Sequence, residues 1–443
     1  ASAFVPEHTY APVNNVPDWK DIDPRIGVAY DLFGNGKTAI RASVSRYVTQ
    51  QGYFFSGLVN PVTGSVNSTT RNVLPTTNLN APPVGNPLDP QPNGDYTGAI
   101  NPNFGQSIST LSYAPDVNTG WQHRPFNWEY TAVVQHQLSS LISLEAGYFR
   151  RTFGNLTVTD NESVTPADFT PFCFNLPAAQ QLGVTTPVGL ASLGNLPGSQ
   201  ICGAYDIIPS LAGVASHQVI QFANKFPGTT SQTYNGFDVN VNAHPTGKFF
   251  VLAGVSVGKI VTKNCAQVDN PMTLLYCVND QPFLASYRVS GGYTLPWKIL
   301  VSGVYQSIPP TELAGATPGW AYSNGTYTSN FGANYTLPNP SATSPGVTTT
   351  LGRPIATPGG ITFPLLSPTA QGEWSNRVNQ VDLRVTKIIQ IKEHARLELM
   401  ADLYNLFNVN PVLTRAVTVA AGYYAPSTIL QADFLKLGAR FTF

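Results

Sequence analysis

Gly254-Val255-Ser256-Val257-Gly258 is the segment of this 443-residue chain whose spacing comes nearest to a catalytic motif. It matches the nucleophile elbow of hydrolases, in which a serine lies on a sharp turn between a strand and a helix. Here the valines alternate with the serine and the glycines, which is the period of a strand. We therefore interpret the segment as part of a strand, with Ser256 on its polar face, and we predict no catalytic residue.

The four cysteines, Cys173, Cys202, Cys265 and Cys277, fall in two stretches that lack strand periodicity. An even number of loop cysteines in an exported protein favours disulfides. Pairing within each stretch, as Cys173–Cys202 and Cys265–Cys277, is the simplest connectivity, and a crossed pairing stays open. Because the spacings match no metal-ligand pattern and no histidine is nearby, we predict neither a metal site nor a cofactor.

A third group consists of charged side chains that recur at every second position within apolar segments. They are expected to share one face of the strands: Arg41, Glu129, Glu145, Asp238, Asp382, Arg384, Glu398, Asp402 and Arg440. Two interpretations of this lumen-facing group stay open. The side chains could line a solvated inner wall or contact a plug, or they could form a specific pathway for a substrate.

The elements that would position these residues are strands with regular alternation. Residues 234–243 show it most clearly, because Phe237, Val239 and Val241 alternate with Asp238 and Asn240. Such a pattern is typical of a strand with one apolar and one polar environment. Eleven strands are predicted, at residues 25–32, 38–48, 126–138, 142–150, 234–243, 249–261, 283–295, 298–307, 377–389, 395–406 and 429–443.

The connections between these strands alternate between tight turns and long segments. Asn35-Gly36 is a strong hairpin signal, and further turns are expected at residues 139–140, 244–248, 296–297 and 392–394. The three longest connections, residues 50–125, 152–233 and 308–376, are rich in Asn, Pro, Gly, Ser and Thr. Short turns at one end and long loops at the other are typical of outer-membrane barrels. We therefore expect periplasmic turns and three long extracellular loops.

Composition favours a membrane barrel over a soluble domain. Charged residues make up 11% of the chain, against about 25% in an average soluble domain. The formal net charge is zero and no run of Lys or Arg points to nucleic acid as a partner. No apolar stretch approaches the roughly 18 residues of a transmembrane helix. The prediction is an all-β fold, an antiparallel transmembrane β-barrel portion in contact with lipid in the outer membrane of a Gram-negative bacterium.

The C-terminal segment carries a separate signal. From Leu435 onward apolar and polar residues alternate, and the chain ends on Phe443. A terminal aromatic residue on an amphipathic strand resembles the signal that the barrel-assembly machinery of outer-membrane barrels reads. We therefore expect Phe441 and Phe443 to act as a C-terminal assembly signal, with that machinery as a partner.

Five short motifs are dispersed along the chain: DIDPRIGVAYD at residues 21–31, FGNGKT at 33–38, QSIPP at 306–310, RVNQVDLR at 377–384 and DLYNLFN at 402–408. Together they resemble the C-terminal half of TonB-dependent outer-membrane receptors of the subgroup with an N-terminal carboxypeptidase-regulatory-like domain. The resemblance implies a plugged barrel of about 22 strands, of which residues 1–443 would be the second half. The plug and an N-terminal barrel half, or a second chain, would complete the ring. An energy-coupling protein would act only through the plug.

Three classes of function are compatible with these features. The leading hypothesis is uptake of a nutrient across the outer membrane by a receptor-like barrel that is energised through its plug. The alternative is a surface-exposed structural or adhesive protein that uses its long loops to bind partners or to assemble. A third hypothesis is a secreted soluble β-protein that binds carbohydrate through its aromatic residues. None of the three is an enzyme.

Overall fold

The structure is a computed structural model of the chain. It describes residues 7, 9–14, 16–50, 57, 59–66, 72–73, 84–85, 94–97, 104, 111–178, 184–185, 187–193, 195–214, 216–311, 320–323, 326–329, 334–337, 348–365, 374–391, 395–416 and 422–443. Within these ranges no helix has both the length and the apolar character needed to cross a membrane. The turn expected at residues 392–394 lies outside the described residues.

Eleven strands form one continuous antiparallel sheet, in which each strand pairs with its neighbours in sequence. They are β1 Arg25–Asp31, β2 Thr38–Val48, β3 Phe126–Ser139, β4 Ile142–Gly154, β5 Thr230–Thr246, β6 Phe249–Asn264, β7 Leu284–Leu295, β8 Ile299–Ile308, β9 Val378–Gln390, β10 Arg396–Tyr404 and β11 Phe434–Thr442. A short strand, Val278–Asp280, pairs with the end of β6. Each predicted strand has its counterpart, so the all-β, antiparallel prediction is confirmed.

The register of the sheet separates two faces, because residues that pair across neighbouring strands point to the same side. Val239 of β5 pairs with Ala146 and Val255, whereas Asn240 pairs with Glu145 and Gly254. We call the first side the apolar face; it carries Ile26, Val28, Val44, Tyr130, Val134, Phe237, Val239, Val289, Tyr305, Leu399 and Leu437. All of these side chains are exposed. We call the other side the polar face.

The first hairpin shows how a tight turn is formed at the short-turn end of the sheet. Gly34 and Gly36 have φ angles of 65° and 72°, in the left-handed region that glycine adopts without strain. The Asp31 carboxylate accepts a hydrogen bond from the backbone N–H of Gly36 at 2.6 Å. The Asn35 side chain accepts one from the N–H of Lys37 at 3.0 Å. The predicted Asn-Gly turn is therefore present.

The long connections contain short elements that the sequence pattern did not predict. The strands are Asp18–Lys20, Asn72–Val73, Tyr96–Thr97, Leu111–Tyr113, Thr119–Trp121, Thr157–Asn161, Phe169–Asn175, Gln200–Ile207, Gln218–Phe222, Trp320–Ser323, Thr326–Ser329, Asn334–Leu337, Ile361–Pro364, Val412–Arg415 and Pro426–Ile429. The helices are Pro115–Asn118 and Pro187–Leu193, with 3₁₀ turns at Pro166–Asp168, Pro209–Leu211, Ala223–Lys225 and Pro271–Leu274. A further 3₁₀ turn, Pro296–Lys298, forms the predicted tight turn between β7 and β8. These connections are therefore folded in their described parts.

A hydrophobic core lies among the connections rather than in the sheet. Its buried residues come from the connections that follow β4, β6, β8 and β10: Phe172, Phe174, Leu176, Val184, Ala204, Met272, Leu337, Ile355, Ile361, Phe363, Leu365, Tyr423 and Tyr424. We call this cluster the loop cap. Four segments that are distant in sequence share one apolar core, so each of them stabilises the others.

The final strand begins later than the predicted start at Ile429. Residues 426–429 pair instead with residues 412–415 in a separate hairpin, in which Ile429 faces Val412. The backbone of the next residues is hydrogen-bonded to two asparagines that follow β10. The Asn405 amide donates to the carbonyl of Gln431 at 2.9 Å, and the N–H of Asp433 donates to the side chain of Asn408 at 3.3 Å. Because these backbone groups are already bonded, ladder pairing starts only at β11.

Candidate functional site: the polar face and its charged pairs

The register brings all nine charged side chains predicted for the lumen onto the polar face. Arg41, Val133, Gly147 and Asp238 form one row of paired residues across β2, β3, β4 and β5. Glu145 lies two residues before Gly147 on β4 and therefore points to the same face. At the other end of the sheet Arg384 pairs with Asp402, and Glu398 pairs with Arg440. Glu129 and Asp382 belong to the same face. Their orientation toward a lumen stays a prediction, because it concerns the side of the sheet that a closed barrel would enclose.

Six of the nine residues form ion pairs with each other. The Arg41 guanidinium contacts the Glu145 carboxylate at 2.5 Å. Arg384 holds both carboxylate oxygens of Asp402, at 2.5 and 2.9 Å. The list of such pairs is completed by Arg440 and Glu398 at 3.0 Å. In each pair the two residues belong to different strands, so charge-assisted hydrogen bonds connect the strands on the polar face.

Two of the remaining three residues have partners that the sequence analysis missed. Glu129 pairs with Arg151 at 2.7 Å. Asp382 accepts hydrogen bonds from the Gln380 amide at 2.8 Å and from the backbone N–H of Asn405 at 2.9 Å. Asp238 lies opposite Ser256 in the register.

A signal for the missed partners was present in the sequence. Residues an even number of positions apart on one strand share a face, as do Arg151 and Glu145 on β4 and Arg396 and Glu398 on β10. Arg396 also forms an ion pair with Glu398 at 3.2 Å. Extending the two-residue period to the ends of the strands would have placed both arginines on the polar face.

The chemistry of this face suits a hydrated wall. Arg41, Glu145 and Arg384 keep between a third and a half of their side-chain surface exposed, and Arg440 keeps 61%. An exposed pair such as Arg41–Glu145 contributes little stability individually, whereas the side chains of Asp402 and Glu398 are only 9% and 11% exposed. The effect of these pairs is to cancel charge locally along a surface that remains in contact with water.

Ser256, the centre of the elbow-like motif, has a strand environment. It pairs with Asp238 on one side and with Ser286 on the other, within the uninterrupted ladders of β6. A nucleophile elbow requires a turn into a helix, and β6 continues through the motif. Among the described residues no group of three or more His, Cys, Asp or Glu side chains is arranged to hold a metal ion.

Both expected disulfides are present in the loop connections. Cys173 and Cys202 face each other across a two-stranded hairpin, with 4.1 Å between their Cα atoms. Cys265 and Cys277 close the connection after β6, with 5.1 Å between their Cα atoms. The first bridge therefore reinforces paired strands rather than an unstructured loop, and the second encloses the segment that carries Met272 of the loop cap.

A buried carboxylate joins two of the connections. Asp206 is 0% exposed and accepts hydrogen bonds from the backbone N–H groups of Ala356 and Thr357 at 2.8 and 3.0 Å. It also accepts one from the Thr357 hydroxyl at 2.7 Å and one from the guanidinium of Arg353. Asp206 follows β4 in the chain and residues 353–357 follow β8, so this carboxylate fixes one loop against another.

The C-terminal aromatic residues lie at the end of β11. The rings of Phe441 and Phe443 stack with 5.9 Å between centroids, and they are 53% and 93% exposed. Phe441 pairs with Leu397 of the apolar face. Their role as an assembly signal stays a prediction.

Comparison with known proteins places this geometry in a family. The family profile described as "Outer membrane beta barrel domain" matches residues 3–377. A comparison with curated proteins gives no match. The solved structures to which the chain is similar include the outer membrane transporter YddB from Escherichia coli, with 10% identity, coverage of 95% of this chain and 40% of that chain, and a TM-score of 0.44.

Two further structures are similar at the same level. The FrpB iron transporter from Neisseria meningitidis has 9% identity, coverage of 94% of this chain and 38% of that chain, and a TM-score of 0.41. The ferripyoverdine receptor of the outer membrane of Pseudomonas aeruginosa has 11% identity, coverage of 95% and 33%, and a TM-score of 0.40. The chain thus spans less than half the length of these structures. It is an outer-membrane protein and belongs to the outer membrane beta barrel domain family.

Proposed function

We propose that this chain is the second half of a transporter barrel of about 22 strands, of the TonB-dependent receptor type, that imports a nutrient across the outer membrane. The observation that carries the proposal is the two-sided sheet. One face presents exposed apolar side chains, as a lipid-facing surface requires, and the other presents charged pairs, as a hydrated lumen requires.

The two edges of the sheet support a larger ring. Within the described residues β1 pairs only with β2 and β11 only with β10. Residues 25–30 of β1 and most of β11 are exposed on both faces. Lipid offers no hydrogen bonds to an open strand edge. Further strands, from an N-terminal barrel half or from a second chain, would therefore pair with β1 and β11.

The proposed orientation follows from the ends of the strands. The tight turns and the end of β11 would lie in the periplasm, and the loop cap with residues 50–125, 152–233 and 308–376 would lie outside the cell. The barrel-assembly machinery would read Phe441 and Phe443. A plug inside the ring would contact the polar face and connect the barrel to an energy-coupling protein.

Spin labels at adjacent positions test the two-sided wall. Labels would be attached to Val239→Cys and Asn240→Cys in protein reconstituted into lipid bilayers; the native cysteines do not compete because all four are in disulfides. We expect lipid-soluble oxygen to broaden the label at position 239 and a water-soluble nickel chelate to broaden the label at position 240. Equal access of both reagents at both positions would contradict the proposal.

Transport is tested by solute depletion. Cells that produce the protein and cells that lack it would be grown in a defined mixture of nutrients, and the medium would be followed by mass spectrometry. We expect at least one solute to disappear faster from the producing cells, and this difference to vanish when the energy-coupling protein is deleted. Unchanged depletion together with protein-dependent cell aggregation would instead support the adhesive alternative.

A further inference from the structure

Arg288 differs from its neighbours on the polar face because its charge has no partner among the described residues. Arg41, Arg151, Arg384 and Arg440 each contact a carboxylate. The side chain of Arg288 is exposed and makes no hydrogen bond, ion pair or ring contact with the described part of the chain. A guanidinium carries five donors in a planar fork, and on this exposed side chain they are open to water or to a ligand.

The surroundings of Arg288 form a trough rather than a flat wall. The depression has a volume of about 920 Å³ and lies across β3 to β8. Its lining includes Arg288 together with the polar residues Asn240, Asn242, Ser256, Ser286 and Ser290 and the apolar residues Leu252 and Val304. Hydroxyl and amide groups therefore converge on one side of the sheet beside an unpaired positive charge.

Gly254 opens this trough at its centre. It lies between Asn240 and Arg288 in one row of paired residues. A Cβ atom at position 254 would come within 2.7 Å of the Asn240 side-chain oxygen. Glycine is thus needed for the Asn240 amide to extend over β6 toward Arg288, and any larger residue would displace that amide.

The acidic residue of the same row does not neutralise Arg288. Glu145 also lines the trough, but its carboxylate is held by Arg41 at 2.5 Å. Three strand spacings separate Glu145 from Arg288, which amounts to roughly 14 Å between their backbones. Asp238 and Asp382, the carboxylates of this face that lie nearest to Arg288 in the register, make no contact with its guanidinium either. The Arg288 charge therefore remains available to an external anion.

We propose that this trough is a binding site for a carboxylate group. Arg288 would hold both carboxylate oxygens in a bidentate contact, and Asn240 with the neighbouring serines would bond to polar groups next to the carboxylate. The inference rests on the proposed function in that it takes the polar face as the lining of the lumen. The carboxylate comes either from a dissolved solute in the lumen or from an acidic side chain of a protein segment that fills it.

Protection of Arg288 from phenylglyoxal tests for a bound carboxylate. Protein purified from outer membranes in detergent would be modified with and without citrate, with chloride replacing citrate at equal ionic strength, and each arginine would be followed by mass spectrometry. If solutes bind, citrate slows the modification of Arg288 about tenfold. Arg41 is the matched control, since its existing ion pair makes its rate independent of citrate.

Zero-length coupling identifies the source of the carboxylate. An Arg288→Lys variant would be treated with a carbodiimide, which joins an amine to a carboxyl group in contact with it. A citrate adduct identifies a solute site, and a cross-link to a peptide of the protein identifies a filling segment. Gln306→Lys places an amine at the paired position on β8. This control variant shows how much coupling occurs at an amine that is close to position 288 but is not at it.

The outcomes separate this proposal from the proposed function. Rapid modification of Arg288 in every condition, with no cross-link and no citrate adduct, overturns the carboxylate site. Slow modification of Arg288 without either product overturns it as well. The spin-label result at positions 239 and 240 is independent of both experiments, so a two-sided wall without a carboxylate site remains recognisable.

Discussion

The sheet formed by β1 to β11, which we call the wall, exposes its apolar side chains, whereas the loop cap buries them. On the wall Ile26 is 74% and Leu437 is 72% exposed, whereas in the cap Phe174 and Leu337 are both 0% exposed. The cap buries its apolar residues against each other, as a water-soluble domain does. The apolar side chains of the wall are exposed on the protein surface, as is expected of a face that lipid covers. The same kind of substitution should therefore have different effects in the two regions.

The largest effect is expected from Phe174→Ala in the loop cap. Phe174 packs edge-on against Phe363 of another connection, with 5.3 Å between ring centroids. Removing a fully buried phenylalanine costs about 3–5 kcal/mol, because it leaves a cavity. We expect faster hydrogen exchange throughout the described parts of the cap and no change in the wall.

Phe33→Ala is the matched control for this substitution. Phe33 lies in the first tight turn and is 67% exposed, so its removal leaves no cavity in the cap. Exchange in the cap should equal that of the unmodified protein. A cap that exchanges equally in both variants would show that its connections do not share a core.

Arginine substitutions on β11 test the wall. Leu437→Arg would place a charge on the apolar face and should destabilise the folded protein in lipid vesicles by about 2–4 kcal/mol if the position is near the bilayer midplane. The free energy of unfolding would be measured in urea. The expected loss follows from transferring the guanidinium out of water into hydrocarbon.

Gly438→Arg is the control on the polar face. A Cβ atom at position 438 would meet the Met400 side chain at 3.5 Å, an ordinary contact, so the arginine can be accommodated. Lys436→Ala, also on that face, should cost little. Equal destabilisation by arginine at positions 437 and 438 would mean that β11 does not face lipid.

The wall was predictable from sequence because its signal is local. Alternation along residues such as Phe237, Asp238 and Val239 reports directly on the two environments of a strand. The polar set was assigned to one face for the same reason. Pairs such as Arg41–Glu145 were not predictable, since they depend on the register between β2, β3 and β4, which alternation in single strands does not specify.

The loop cap was not predictable because its contacts join distant connections. Phe174 and Phe363 come from segments rich in turn-forming residues, without a periodic pattern long enough to identify their strands. The same limit explains the start of the final strand. Ile429 was included in the predicted strand, but its pairing with Val412 and the hydrogen bonds of Asn405 separate it from β11.

A moderate effect is expected from removing the disulfide that encloses Met272. Cys265→Ser with Cys277→Ser should lower the stability of the cap by about 2–3 kcal/mol in the chain-entropy account of a short loop. Met272, which is 1% exposed, should lose protection from oxidation, measured by mass spectrometry. The wall should keep its resistance to unfolding by heat.

A reducing agent provides the control for this variant. Reduction of the unmodified protein should reproduce the increase in Met272 oxidation. Any further increase on reduction of the double-serine variant would come from the Cys173–Cys202 bridge. If Met272 stays protected in both cases, the packing of the cap alone holds this connection in place.

The smallest effect is expected from a change of pH, because the carboxylates of the two regions have different surroundings. On the wall Asp402 is bound by Arg384, whereas in the connection after β4 Asp160 lies near Glu162 and Asp269. Burial, chiefly, and the negative charge of Glu162 raise the pKa of Asp160 above its ordinary value, against the lowering effect of hydrogen bonds from Asp269 and Gln221. The folded hairpin therefore binds the Asp160 proton more tightly than the unfolded segment does.

The sign of the pH dependence follows from this raised pKa. Stability from the tighter proton binding is fully present below the unfolded pKa and is lost as pH rises through the folded pKa. We expect the pairing of residues 157–161 with 218–222 to become weaker as pH rises from the ordinary carboxyl range through the raised pKa of Asp160, measured as hydrogen-exchange protection corrected for intrinsic rates. Asp160→Asn keeps the hydrogen bond from Gln221 without the charge, so it should flatten this dependence and protect the hairpin at pH 7. A variant with the same pH profile as the unmodified protein would show that Asp160 does not cause the dependence.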